Sequence, residues 1–228
     1  MLWFRRDTRT EQSNAHAESD AEIAARLSQR DELAFLDLYD RHGRTVYRFL
    51  VHMTGSVALA EELTQEVFVA ILNAISAGTM ARFDPSKGTL EGYLLGIARN
   101  LARVELRRNH RLISLDGALE TPEWQRLLET FAEDGRSRDG LALVVAQSEV
   151  RALYKAILKL PVHYREAIVL CGLAEKSYQE AAALLGISEG TIASRMNRAK
   201  GLLAARLRNS QSDEVGTSAG RRGKEGQC

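Results

Sequence analysis

The sequence is poor in residues that cross-link a chain or interrupt helices. It has two cysteines, Cys171 and Cys228, and three prolines among 228 residues. Two cysteines exclude a disulfide framework and indicate a reducing compartment. Aromatic residues make up only 6% of the chain, whereas alanine and leucine are abundant. This composition favours an all-α fold, because alanine and leucine are strong helix formers.

Long apolar runs and a strong net charge are also absent. No stretch approaches the roughly 20 apolar residues of a membrane span, and the apolar run in the opening MLWFRR is too short for a signal-peptide core. We therefore expect a cytoplasmic protein with no membrane span. The net charge of +1 gives no overall attraction to nucleic acid, so any DNA-binding surface must be local.

Neither catalysis nor metal binding is indicated by the chemistry-bearing residues. The histidines and cysteines show no metal-ligand spacing, so we expect no metal and no cofactor. His163 and Cys171 suggest a nucleophile pair at first sight, but on one helix they would lie about 12 Å apart, too far for a hydrogen bond. We predict no catalytic residues and no enzyme activity.

The strongest local pattern is a predicted helix-turn-helix between residues 177 and 208. Ser177 and Glu180 have the spacing of a capping box, Gly186 suits a sharp turn, and Ser188 can cap a second helix. The inward face of that second helix is predicted to carry Ile192, Met196, Ala199 and Leu203.

The opposite face of the second helix is polar and cationic. Such a helix can simply pack against its neighbour, but hydroxyl, amide and guanidinium groups also suit base edges and phosphates, and cations outnumber the lone Glu189. We therefore favour DNA binding. The candidate residues are Thr191, Ser194, Asn197 and Arg198.

Two further amphipathic helices are predicted upstream. The helix at 57–76 has an apolar face that includes Leu72, and its outward side carries Glu61, Glu62, Gln65 and Glu66. The helix at 90–109 has a predicted core stripe of Leu90, Leu94, Ile97, Leu101 and Val104, and a cationic ridge of Arg99, Arg103, Arg107, Arg108 and Arg111. A ridge of this kind is often only a solvated face. Because few acids stand at i, i+4 positions to pair with it, we favour contact with phosphates.

Between the two basic regions lies an acidic segment at 111–147. Thr121 and Pro122 can begin a short helix there, whose apolar face would hold Trp124, Leu127, Leu128 and Phe131. The residues leave open whether this helix docks on a surface or forms only transiently in a tether.

Four strings, in this order and spacing, resemble the extracytoplasmic-function (ECF) group of bacterial sigma factors. They cover about 21–109 and 145–208, which is most of the chain. The strings are AEELTQEVF (60–68), FDPSKGTLEGYLLGIARNLARVELRR (83–108), LPVHYREAIVL (160–170) and YQEAAALLGISEGTIASRMNRAK (178–200).

The resemblance implies two small helical domains joined by a linker, which together direct core RNA polymerase to promoters. The first domain, at 21–110, would bind the clamp of the largest polymerase subunit and the −10 element. The linker would span 111–147, and the helix-turn-helix domain at 148–208 would bind the flap and the −35 element. We expect disorder at 1–20 and 209–228.

The resemblance also implies residue roles. Glu61, Glu62, Gln65 and Glu66 match the clamp-binding segment, and the loop at 77–89 matches one that captures a flipped −10 base. The −10 strand would be held by Arg99, Asn100, Arg103, Arg107 and Arg108, and the −35 element read by Thr191, Ser194, Asn197 and Arg198. Such sigma factors usually have an inhibitory anti-sigma factor, and the apolar linker helix suits its docking.

The chain departs from the family pattern at three positions. Leu59 stands where an acid is common, Tyr93 where tryptophan is common, and Ala193 where a longer polar residue often lies. The alternative function is a helix-turn-helix regulator that binds duplex DNA without polymerase. That alternative explains the C-terminal region but leaves the acidic helix and the arginine helix without a role.

Overall fold

The structure is a computed structural model that describes residues 19–79, 88–108 and 140–219. All regular structure within these ranges is helical, which confirms the predicted all-α class. Among the described helices, none combines the length and apolar character needed to cross a membrane. The helices are α1 (Asp20–Ser28), α2 (Glu32–Thr54), α3 (Val57–Ser76), α4 (Leu90–Arg108), α5 (Gly140–Leu158), α6 (Val162–Ile168, continued by a π-helical turn, Val169–Leu173), α7 (Tyr178–Leu185) and α8 (Glu189–Ala219).

Short polar side chains determine where the first helices begin. Ser19 and Glu22 form a capping box at α1, Asp31 accepts a hydrogen bond from the Leu33 amide at α2, and Ser56 caps α3. Helix α2 ends at Gly55, whose φ of +72° is a left-handed conformation that glycine adopts without strain.

The helices form two units that share one continuous apolar core. In the N-terminal unit, α2 packs against α1, α3 and α4. In the C-terminal unit, α8 packs against α5, α6 and α7. The units also meet each other, because α4 contacts α7 and the end of α2 contacts α5 and the π-helical turn. The largest fully buried side chains include Phe49, Leu50, Met53, Ile71 and Leu94.

The predicted core stripe of α4 was partly wrong. Leu90 and Leu94 are buried, but Val104 is 42% exposed, and Ile97 and Leu101 are only half-buried. The buried positions continue instead through Leu95, Ala98, Ala102 and Leu106. Alanine is weakly apolar and was overlooked, yet its small side chain lets neighbouring helices approach α4 closely.

Three large apolar residues of α2 and α3 are exposed. Leu72 on α3, predicted to face inward, is 43% exposed, and Leu36 and Tyr39 on α2 are 57% and 43% exposed. Two boundaries also differ from the prediction. Helix α5 begins at Gly140, inside the predicted linker, and α8 continues to Ala219, into the segment where disorder was predicted. The helical pattern of 209–219 was missed because its residues are mainly polar, although none is proline. The linker helix and most of the loop at 77–89 lie outside the described residues.

Candidate nucleic-acid interface

Helices α7 and α8 form the predicted helix-turn-helix. The Ser177 hydroxyl accepts a hydrogen bond from the Glu180 amide at 3.1 Å, and the Glu180 carboxylate accepts one from the Ser177 amide at 2.8 Å. The Ser177 hydroxyl also donates to the Glu180 carboxylate at 2.7 Å, and this hydrogen bond, together with the one from the Ser177 amide, holds the pKa of Glu180 below its usual value. Gly186 makes the turn with a φ of +66°, and the Ser188 hydroxyl accepts a hydrogen bond from the Thr191 amide. The capping box, the glycine turn and the second cap are all as predicted.

Helix α8 separates its two faces clearly. Ile192, Met196, Ala199 and Leu203 are buried, as predicted from their spacing. On the opposite side, Ser194, Asn197 and Arg198 are exposed and Thr191 is half-buried. The Thr191 hydroxyl lies 2.9 Å from that of Ser188, and the Ser194 hydroxyl donates to the Thr191 carbonyl oxygen. The two hydroxyl groups therefore have local partners near the start of the helix.

The acidic side of α3 is open to solvent. Glu61, Glu62, Gln65 and Glu66 are all exposed, as predicted. Their face continues along the helix to Val69 and Leu72, which are 52% and 43% exposed. On α2, the ring of Tyr39 lies 4.7 Å from the buried ring of Phe68, which connects the exposed part of α2 to α3. A mixed acidic and apolar surface results.

The five predicted −10 residues on α4 fall into two groups. Asn100, Arg107 and Arg108 are exposed. Arg99 is only 14% exposed in its side chain, and its Nε donates to Oε1 of Glu166 at 2.8 Å. The Nε of Arg103 lies 3.3 Å from the same oxygen. The ridge was predicted to lack acidic partners, and this was wrong for Arg99 and Arg103.

Sequence reasoning missed the residues that join the two units. Glu166 is fully buried, and its neighbour Arg165 donates from Nη1 to the Met53 carbonyl oxygen of α2 at 2.6 Å. Burial lowers the pKa of Arg165 to about 10, so it remains protonated at neutral pH. The one available signal was an adjacent cation and anion in the apolar string LPVHYREAIVL, and that pattern does not identify a partner.

The residues considered for catalysis are not brought together as a reactive pair. His163 is exposed and its ring lies against that of Tyr164, with 4.0 Å between centroids. Burial raises the pKa of the Cys171 thiol, which lowers the fraction of reactive thiolate. Across residues 19–79, 88–108 and 140–219, no cluster of potential ligand side chains could hold a metal ion.

Comparisons with known proteins match both units of the chain. Two protein-family models match the chain: Sigma-70 region 2 over residues 38–112, and Sigma-70, region 4 over residues 150–203. The ECF RNA polymerase sigma factor EcfG of Rhodopseudomonas palustris is 33% identical over 160 residues, covering 70% of this chain and 77% of the relative. The chain belongs to the ECF sigma factors.

A second relative and a solved structure are also similar to this sigma factor. The ECF RNA polymerase sigma factor SigW of Bacillus subtilis is 29% identical over 184 residues, covering 80% of this chain and 94% of SigW. The solved structure of CnrH in complex with the cytosolic domain of CnrY shares the fold, with a TM-score of 0.58 and 24% identity, and the match covers 84% of this chain and 99% of CnrH. The region 2 match favours a sigma factor, which directs core polymerase to promoters, over a regulator that binds DNA alone.

Proposed function

We propose that this sigma factor contacts core polymerase through the acidic side of α3 and promoter DNA through α4 and α8. The observation that carries the proposal is the separation of faces on α8, where a buried apolar stripe holds a polar, cationic face open to solvent. The proposed division of roles keeps the ranges predicted from the sequence, which are 21–110 for the clamp and −10 element, 111–147 as linker, and 148–208 for the flap and −35 element, although α5 begins at Gly140 within the linker range.

The α3 surface suits a protein partner better than DNA. Glu61, Glu62 and Glu66 would repel phosphates, whereas the clamp of the largest polymerase subunit can pair with them. The exposed Val69 and Leu72 supply apolar area on the same face, as protein interfaces commonly do. Gln65 adds a neutral hydrogen-bonding group among the carboxylates. Leu59, where the family often has an acid, is half-buried beside this surface.

Helix α4 supplies the cations for the −10 element. Arg99, Arg103, Arg107 and Arg108 would hold the phosphates of the separated strand, and Asn100 is exposed as Arg107 and Arg108 are. Flipping a base out of the stack costs about a few kcal/mol, so opening of the −10 element needs such support. The base-capturing role of the loop at 77–89 remains a prediction from the family resemblance.

Helix α8 reads the −35 element in this account. Asn197 and Arg198 are the exposed long side chains of its face, and amide and guanidinium groups form bidentate contacts with base edges. Thr191 and Ser194 lie nearer the helix start, where hydroxyls and the helix dipole suit a phosphate. Ala193 is half-buried and offers no polar group to DNA.

This sigma factor is proposed to act without catalysis, in the cytoplasm and under the control of an inhibitory partner. Nucleotide chemistry belongs to the polymerase, so the chain itself is not an enzyme. It works in the cytoplasm, where polymerase and promoters are.

An anti-sigma factor binds it, using the exposed apolar residues and the predicted linker helix with Trp124 and Phe131. Loss of inhibitor capture in a pull-down by W124S/F131S is expected, and capture equal to that of the unsubstituted chain would contradict this role.

The clamp assignment is tested by reversing charge on α3. Glu62→Lys/Glu66→Lys should abolish co-purification with core polymerase and promoter-dependent transcription in vitro, because two attractive contacts become repulsive. The matched control, Glu149→Lys/Glu175→Lys, makes the same charge change at exposed positions of the C-terminal unit and should leave both unchanged. Equal behaviour of the two variants would contradict the assignment, and failure of the unsubstituted chain to bind core would contradict the function.

A further inference from the structure

Large apolar side chains remain exposed on α2 and α3 in the described part of the chain. Along α2, Leu33, Leu36 and Tyr39 follow one another at three-residue steps and are 65%, 57% and 43% exposed. On α3, Val69 and Leu72 have the same spacing and are 52% and 43% exposed. Residues three apart lie on one side of a helix, so each set forms an apolar strip. We call these two strips the α2–α3 patch.

Aromatic packing connects the two strips. The ring of Tyr39 lies 4.7 Å from the ring of Phe68 on α3, and the ring of Phe35 meets Phe68 edge-on at 6.1 Å. Phe68 lies one helical turn before Leu72. A group of large apolar side chains left exposed together commonly marks a surface that binds another group.

Acidic side chains border the α2–α3 patch. Glu32 and Asp40, four residues on either side of Leu36, are both exposed. Glu66, three residues before Val69, is exposed as well. Across α2 and α3, six exposed acids outnumber two exposed arginines. The patch therefore suits an occupant that combines apolar side chains with positive charge.

Residues 1–6, which lie outside the described residues, have this combination. They read MLWFRR, in which four apolar residues that include Trp3 and Phe4 precede two arginines, with no acid. The predicted linker helix around Trp124 is apolar too, but residues 116–134 hold six acids and one arginine. The acidic border would repel that segment and attract residues 1–6.

Residues 1–6 are also tethered within reach of the patch. Helix α1 begins at Asp20, whose Oδ1 lies 3.0 Å from the Nη1 of Arg41, two residues from Tyr39 on α2. Ser19 is 15 residues beyond Phe4, and an extended chain of that length spans up to about 50 Å. This exceeds the diameter of a helix with its side chains, which is about 10–12 Å. A flexible tether of this kind keeps the effective concentration of the segment near the mM range.

We infer that residues 1–6 bind the α2–α3 patch in the free protein, with Trp3 and Phe4 on the apolar strips and Arg5 and Arg6 against the acidic border. The acidic side of α3 belongs both to this border and to the proposed clamp-binding surface, so the segment and core polymerase compete for it. The competition rests on the proposed function, whereas the docking does not.

The fluorescence of Trp3 tests the docking. The chain has two tryptophans, so Trp124→Phe leaves Trp3 as the sole one in the full chain. Acrylamide should quench it at least about 2-fold less than in a free peptide of residues 1–10, because a mM effective concentration half-fills even a site of mM affinity. Leu36→Lys/Leu72→Lys, added to this chain, should raise the quenching to that of the peptide.

A matched variant and a reciprocal chain identify the occupant. Leu153→Lys/Leu202→Lys, at exposed positions of the C-terminal unit, should leave Trp3 protected. Quenching of Trp3 equal to that of the peptide, or equal in the two lysine variants, would overturn the docking. In a Trp3→Phe chain, release of Trp124 by the patch substitutions would make the linker helix the occupant instead. Protection of Trp3 that rises with protein concentration would assign the patch to a second copy.

Binding of the full chain to core polymerase measures the competition. Arg5→Glu/Arg6→Glu should release Trp3 and tighten core binding by the same factor, about 2-fold or more, because only the undocked fraction binds. Arg221→Glu/Arg222→Glu makes the same charge change near the other end of the sequence and should alter neither. Release of Trp3 without tighter core binding would overturn the competition. If the unsubstituted chain does not bind core, the proposed function is wrong, and the protection of Trp3 still decides the docking.

Discussion

The two proposed DNA surfaces of this sigma factor differ in how open they are. On α8, Asn197 and Arg198 face solvent, and the hydrogen bonds of Thr191 and Ser194 are local. On α4, Arg99 and Arg103 are held by Glu166 of the other unit. A cationic face on a helix is therefore not necessarily available to a ligand. In the free protein, the proposed −35 surface is exposed and the proposed −10 surface is only partly so.

Removal of Arg165, which links the end of α2 to the C-terminal unit, should change stability more than any other substitution considered below. Burial lowers the pKa of Arg165 to about 10, a desolvation penalty of about 3 kcal/mol. Its three hydrogen bonds to carbonyl oxygens contribute about 1.5–3 kcal/mol each and so outweigh that penalty. Arg165→Met should therefore lower the free energy of unfolding by about 2–4 kcal/mol in urea titrations. Lys200→Met, at an exposed position of α8, should change it by less than about 0.5 kcal/mol. Equal effects would show that the contacts of Arg165 are not stabilising.

The open surface is tested by removing one guanidinium. Arg198→Ala should weaken binding of the full chain to a −35 duplex by about 1–3 kcal/mol, because a base contact is lost. Fluorescence anisotropy measures this loss of affinity, with one duplex that carries the −35 sequence (the matched duplex) and one in which that sequence is scrambled. A loss confined to the matched duplex supports base reading, and an equal loss on both would make Arg198 a phosphate contact. Because α8 is already exposed, Glu166→Gln should leave −35 binding unchanged.

A smaller effect, dependent on pH, is expected at the contact between the units. His52 is buried beside Tyr154, and burial together with the charge of Arg48 lowers the pKa of His52 to about 3 from 6.5. Below pH 6.5 the unfolded chain binds a proton that the folded chain does not, so stability is lost as the pH falls. At pH 5 the loss is about 2 kcal/mol relative to pH 7.

Urea titrations between pH 7 and pH 5 measure this slope, which is the change in the free energy of unfolding with pH. His52→Gln should flatten it, whereas His163→Gln, at an exposed position, should keep it. An unchanged slope in His52→Gln would show that His52 does not stay neutral in the folded state. The effect concerns the contact between the two units directly, because the Tyr154 hydroxyl of α5 lies 3.5 Å from the Nε2 of His52 on α2.

The features that the sequence predicts well are those encoded within a few residues. The capping box of Ser177, the glycine turn at Gly186 and the buried stripe of α8 follow from local spacing and agree with the structure. Local spacing was a less reliable guide to which side of a helix is buried where that depends on packing against other helices. Ala98 and Ala102 form the core side of α4 in place of Val104, because helices approach most closely at small residues.

The partner of Arg99 could not be predicted by the same reasoning. Glu166 is 67 residues away in sequence, and the pair forms only because α6 is carried onto α4 by the packing of two units. The sequence around either residue contains no pattern that indicates the other as its partner. The exposed Leu72 illustrates the opposite limit, since its spacing along α3 predicted burial that the fold does not provide.

The contact of the C-terminal unit with α4 is what makes the two proposed DNA surfaces differ in the free protein. A zero-length carbodiimide cross-link between Glu91 and Lys176, identified by mass spectrometry, is the sharpest test of this contact, because their Oε2 and Nζ atoms lie 2.7 Å apart. Lys176→Arg, which cannot form the amide, is the control. We expect a cross-link in the free protein and none in Lys176→Arg. No cross-link in the free protein, or an equal yield in Lys176→Arg, would contradict the contact.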